Sequence, residues 1–139
     1  MREEAEKVIS ENGWTMDAAT KLRKIDSFIK EAIRFEGGVT SMYFLRVFSP
    51  SDPFPVGPSR KARKDVTLSD GVFIPKGTTV SFPAHSIEHD EQNYENPHVF
   101  KPFRFVDLQD KSDDPSKYQL TSVSNDFLVF GMGKVAWCV

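Results

Sequence analysis

The stretch LRKIDSFIKEAIR, residues 22–34, reads as one amphipathic helix. Leu22, Ile25, Phe28, Ile29, Ala32 and Ile33 recur at steps of three and four, a single apolar stripe at helical period. Gly37-Gly38 closes it, and Thr15 or Asp17 is placed to cap it. Upstream, residues 2–10 form a short charged helix with Ala5, Val8 and Ile9 on one side, and Asn12-Gly13 stops it. Downstream, Tyr43 to Phe48 suits a strand. The prolines at 50, 53, 55 and 58 then deny both helix and ladder and predict a loop.

From Asp65 the pattern turns to β. Val66-Thr67-Leu68, the turn Ser69-Asp70-Gly71 and Val72-Phe73-Ile74 spell a hairpin. Pro75-Lys76-Gly77 supplies a second turn before a strand at Thr78–Phe82. Residues 84–91 suit a short helix. Phe100-Lys101-Pro102-Phe103-Arg104-Phe105 is too proline-broken for a regular element, and polar residues 107–118 read as a surface loop. Phe127 to Phe130 is an apolar run that enters the glycine turn Gly131-Met132-Gly133. The predicted class is α+β: N-terminal helices, a small antiparallel hairpin region and a mostly irregular remainder.

Composition bounds the function classes. The chain has 139 residues, the size of one domain, and 39% hydrophobic residues predict a thin core or part of a larger one. Twelve Phe argue against disorder. A net charge of −2 without a basic face excludes a nucleic-acid partner. The basic run Arg60, Lys61, Arg63 and Lys64 reads as a solvated loop. No apolar run approaches the ~20 residues of a membrane span. The opening Met1-Arg2-Glu3-Glu4 is charged, unlike a signal peptide, so an intracellular setting is expected. The one cysteine, Cys138, cannot form an internal disulfide, which suits a reducing compartment or a metal-ligating thiol.

Four groups of residues bear on chemistry. Glu31 and Arg34 share a helix face, a spacing usual for surface ion pairs. Arg104, among Pro102, Phe103 and Phe105, must snorkel or be desolvated. If desolvated it needs an anion, and Glu31 is a candidate shared with Arg34. His85-Ser-Ile-Glu88-His89 matches the inverted zincin pattern H-x-x-E-H. A zinc metallopeptidase site would also need a third ligand, a glutamate further on, and no glutamate follows Glu95. A solvated polar helix accounts better for the motif. Cys138 after the glycine turn suits a metal-bound thiolate, or a small buried hydrophobe.

Taken in order, these features resemble the C-terminal region of a cytochrome P450 of the fungal type. Glu31-Ala32-Ile33-Arg34 is similar to the family's E-x-x-R on helix K. Asp70 to Thr78 is similar to the hairpin after it, and Asn96 to Phe105 to the segment whose arginine joins E-x-x-R. Phe130 to Cys138 is similar to the haem-binding loop. The resemblance makes residues 1–139 a partial P450 domain in which 43–57 do not match. It implies haem b bound at Phe130, Gly133 and Cys138, with the Cys138 thiolate on the iron favouring O–O cleavage. It implies a structural triad of Glu31, Arg34 and Arg104, and no catalytic residue in this stretch. A reductase partner fed by NAD(P)H, a lipophilic small-molecule substrate and monooxygenase chemistry follow from the same likeness. Full-length relatives are expected at the endoplasmic reticulum membrane.

The loop departs from the family pattern F-x-x-G-x-x-x-C-x-G. Trp137 stands four after Gly133, and Cys138 comes one residue late. Ala136 stands two before Cys138, where Arg or His usually meets a haem propionate. The expectation is therefore an inactive fragment of a haem-thiolate lineage. The alternative is a non-catalytic remnant that binds no haem.

Overall fold

The computed structural model describes residues 1–36 and 59–130. The expected strand at 43–48, the proline loop at 49–58, the non-matching stretch 43–57 and the glycine turn through Cys138 lie outside the described residues.

Three helices open the chain: α1 (Arg2–Asn12), α2 (Met16–Thr20) and α3 (Arg23–Glu36). The Asn12-Gly13 stop forms as read, with Gly13 at φ 66°. Thr15 does cap a helix, accepting from Ala18 N at 3.1 Å, but that helix is the short α2. The long helix begins afresh at Arg23, and its first amides are capped from a distance. Lys24 N and Ile25 N both donate to the Glu4 carboxylate of α1, at 3.0 and 3.3 Å.

The β region is two nested antiparallel ladders. The outer pair joins β1 (Ser59–Lys61) to β4 (Thr79–Ser81), and the inner joins β2 (Val66–Thr67) to β3 (Phe73–Ile74). Both turns read from the sequence are present, each carried by a glycine at positive φ, Gly71 at 89° and Gly77 at 91°. Asp70 tightens the first by accepting from Val72 N at 3.0 Å. Arg60 and Lys61 are not loop residues as expected. They pair with Val80 and Thr79, and stay exposed because a ladder fixes the backbone and leaves the side chains in water.

Helix α4 (Ala84–Glu88) follows, then an irregular run, then α5 (Arg104–Lys111) and a 3-10 turn (Pro115–Tyr118). Helix α5 corrects the reading of 100–105 as proline-broken and of 107–118 as loop. Its amides Phe105 N and Val106 N donate to Ser27 Oγ at 3.1 and 3.3 Å, so its N-terminus is capped by α3 and not by its own flanking chain. The Ser27 hydroxyl in turn donates to Pro102 O at 3.1 Å.

The burial of α3 is the reverse of its hydrophobic pattern. Ser27, Lys30, Glu31 and Arg34 are all at or below 2% exposure, whereas Ile29 of the apolar stripe is 39% exposed. Polar residues recur at the same helical spacing as the apolar ones. It is their face that packs on α5 and on the irregular chain around it. The apolar stripe is partly covered by Phe100, whose ring sits edge-on to Phe28 and Phe35 at 5.8 and 5.7 Å.

Candidate functional site: one carboxylate shared by two arginines

The buried face of α3 centres on Glu31. Arg34, one turn on, donates Nε to Glu31 Oε2 at 2.8 Å and Nη2 to Oε1 at 3.0 Å. Arg104, the first residue of α5, brings its Nε to 3.1 Å from both carboxylate oxygens. Lys101 N adds a main-chain donor at 3.0 Å. Both side chains of the Glu31–Arg34 pair are fully buried, so the surface-pair reading of that spacing is wrong, and the desolvated reading of Arg104 is right.

The guanidinium groups have further acceptors. Arg34 donates to Glu88 O at 2.6 Å and Pro97 O at 3.0 Å. Arg104 donates to Glu95 O, Asn96 O and Val99 O at 2.5, 3.2 and 2.9 Å. Asn96 takes φ 49°, a left-handed conformation that asparagine tolerates, within this run of carbonyls. The Arg34 guanidinium also lies 5.0 Å from the Tyr94 ring centroid. Burial alone would push the Glu31 carboxyl up. The hydrogen bonds from Arg34, Lys101 and Arg104 outweigh it and hold the group below its ordinary range.

Sequence reasoning found Glu31, Arg34 and Arg104, and the structure brings them together. It named Glu88 only within the H-x-x-E-H pattern, on a helix read as solvated and polar; that reading is wrong for Glu88, whose carboxyl is buried with no hydrogen-bond partner and is pushed up to about 8 by desolvation, against the pull of Arg34. It missed Ser27 and Lys30, although their spacing with Glu31 and Arg34 draws a polar stripe as regular as the apolar one. Phe130 is half-buried, whereas Gly133 and Cys138 lie outside the described residues.

The histidines do form a group. His85 and His89 stack at 4.0 Å with rings 17° from parallel, and His98 lies 5.4 Å from His89. A shared metal must lie in the plane of each ligating ring, and stacked parallel rings exclude that. Among the described residues no three metal-capable side chains converge. His89 Nδ1 instead lies 2.9 Å from His85 O at the end of α4.

A two-arginine carboxylate sealed under main-chain carbonyls has no open face for a substrate. A sequence model of the family described as Cytochrome P450 matches residues 1–136. The chain belongs to the cytochrome P450 family. It is 41% identical to cytochrome P450 monooxygenase 71 of Postia placenta, over 98% of this chain and 24% of that protein. It is 35% identical to cytochrome P450 monooxygenase CYP512U6 of Ganoderma lucidum, over 97% and 24% respectively. The monooxygenase avaH of Aspergillus versicolor is also 35% identical, over 94% of this chain and 27% of that protein. The chain thus spans about a quarter of the length of the curated relatives it matches.

P450 family members bind haem iron. The donor set of this chain does not fit the family's loop as it stands, because Trp137 occupies the ligand position and the sole thiol, Cys138, follows it. Among the described residues no helix is long and apolar enough to cross a membrane.

Proposed function

We propose that this chain is the bracing part of a haem-thiolate monooxygenase, and that the 139 residues by themselves associate with haem weakly and turn nothing over. The observation that carries the reading is the buried Glu31 carboxylate held jointly by Arg34 and Arg104. Glu31 and Arg34 are fully buried and Arg104 nearly so, and the role that follows is to lock α3 to the chain at 95–104, which leads by way of α5 to Phe130. In the family, haem on a cysteine thiolate supplies the oxygen chemistry. The residues here would hold the frame, with Phe130, Gly133 and Cys138 offered to the haem. A reductase and a lipophilic substrate belong to the whole-protein reading, as does residence at the endoplasmic reticulum membrane.

The register of Cys138 favours a second reading for the chain alone, a remnant that binds no haem. In the family the loop presents the thiolate to the iron, so a thiol one residue late would not meet it in the family's register. Reduced carbon monoxide spectra of the unmodified chain, a Trp137 deletion and Cys138→Ala separate the readings. Weak binding without a thiolate-type Soret band is expected of the unmodified chain, with gain of that band on deleting Trp137. Complete absence of haem association in all three favours the remnant. A strong thiolate band in the unmodified chain, lost with Cys138→Ala, refutes the claim of a misregistered loop.

A further inference from the structure

Helix α3 carries a second grip that the Glu31 carboxylate does not use. Lys30 is 2% exposed, and its Nζ donates to Gln119 O at 2.8 Å. The same ammonium lies 4.8 Å from the Phe105 ring centroid and 4.6 Å from that of Phe127. Asp26, one turn earlier, accepts from Leu120 N at 2.9 Å. An i,i+4 pair on α3 thus takes the carbonyl and amide of two consecutive residues. Aromatic faces are electronegative, so a cation between two rings is held where a neutral side chain would only fill space.

The segment it grips has little structure of its own. Between the 3-10 turn and Phe130 there is one isolated bridge, Ser124 to Phe127. Turn bonds Gln119 N to Ser116 O and Ser122 N to Gln119 O complete its main-chain pairing. At the far end Tyr94 donates its hydroxyl to Asp126 O at 3.1 Å, and Phe127 is 1% exposed against Phe105. Burial lowers the Lys30 ammonium to about 8, against the pull of Asp26 and Asp126.

We propose that Asp26 and Lys30 are positioning residues that fix Gln119–Phe127, the approach to the Phe130 glycine turn, on helix α3 independently of the Glu31 carboxylate. The grip stands on these contacts alone and not on the haem reading, so no haem is needed to test it. The measurement is hydrogen–deuterium exchange of the full 139-residue chain carrying Lys30→Met, Lys30→Arg, Asp26→Ala or Glu31→Gln. Losing one such bond should speed exchange of the Leu120, Ser122, Ser124 and Phe127 amides by about tenfold in Lys30→Met and Asp26→Ala. The amides at 99–107 should stay near the unmodified rate, and Glu31→Gln should reverse the pattern. Lys30→Arg, which keeps a cation and donor, should restore part of the protection. If Lys30→Met does not fold, Asp26→Ala carries the test, because Asp26 is only half-buried and its carboxylate is the acceptor that grips the segment at Leu120 N. A uniform change along the chain, no change at 120–127, or no protection there in the unmodified chain would overturn the proposal.

Discussion

Replacing Glu31 by alanine removes the anion from two buried cations at once. Removing one partner of a buried pair typically costs about 3–5 kcal/mol, because the other charge is left without compensation. Two stranded guanidinium groups would double that if they were bare. They are not bare: Arg34 keeps Glu88 O and Pro97 O, and Arg104 keeps Glu95 O, Asn96 O and Val99 O. Carbonyl dipoles take part of the charge, so the expected loss stays at about 3–5 kcal/mol rather than twice that. Domains have about 5–15 kcal/mol in total, and this one has a thin apolar core, so most of its stability goes. Among the described residues only Ala18, Ala84, Tyr94, Phe105 and Phe127 are buried hydrophobic side chains. Urea unfolding followed by near-ultraviolet circular dichroism reads the change, with exposed Glu36→Ala on the same helix as control, expected within about 0.5 kcal/mol. The Glu31 carboxyl is depressed in the fold, so its contribution is present above the ordinary carboxylate range and is lost as pH falls through the folded value. A Glu31→Ala loss below about 1 kcal/mol would refute the reasoning, since no desolvated charge could then have been left behind.

Glu88→Gln should act with the opposite pH sign. The Glu88 carboxyl is raised to about 8, so its contribution is full below the ordinary carboxylate range and is lost as pH rises through about 8. The stability advantage of Glu88→Gln over the unmodified chain should therefore widen between pH 5 and 8, by up to about 1.4 kcal/mol per pH unit, in urea melts at several pH values. A constant difference would mean that Glu88 is ionised throughout. Ser27→Ala removes the cap of α5 and should cost about 1–2 kcal/mol, with amide exchange at Phe105 and Val106 rising first. Unchanged exchange at those two amides would show that α5 is capped in another way.

Much of the fold was legible where its cause is local. The Asp70-Gly71 and Pro75-Lys76-Gly77 turns rest on glycines at positive φ and on an aspartate two residues from its donor, so a few adjacent letters suffice. Helix α5 was illegible because its cap, Ser27, lies 78 residues from Phe105 in the chain, and the local run of prolines points the other way. The Glu31–Arg104 contact was readable from one physical demand, an arginine among bulky apolar neighbours that needs an anion. The carbonyl acceptors around it were not, because main-chain groups leave no mark in composition. Which face of α3 is buried was also hidden. Two stripes of equal regularity run along it, and apolar character favours the one that this chain leaves more exposed.

The buried polar stripe makes sense once the main chain from 88 to 120 is followed. Most of that chain is irregular, so its carbonyls have no ladder to enter, and a buried carbonyl without a donor is costly. Arg34 takes those of Glu88 and Pro97, and Arg104 takes those of Glu95, Asn96 and Val99. Ser27 takes that of Pro102, and Lys30 that of Gln119. Leucines on that face of α3 would bury as much area but would take the side-chain donors from Glu88 O, Pro97 O, Pro102 O and Gln119 O, and would leave Arg104 without its carboxylate. The cations need an anion in turn, and Glu31 is the group at their centre. The charge on α3 is therefore what allows an irregular chain to be buried in one arrangement, and the Glu31 carboxylate is the condition for keeping Arg34 and Arg104 there.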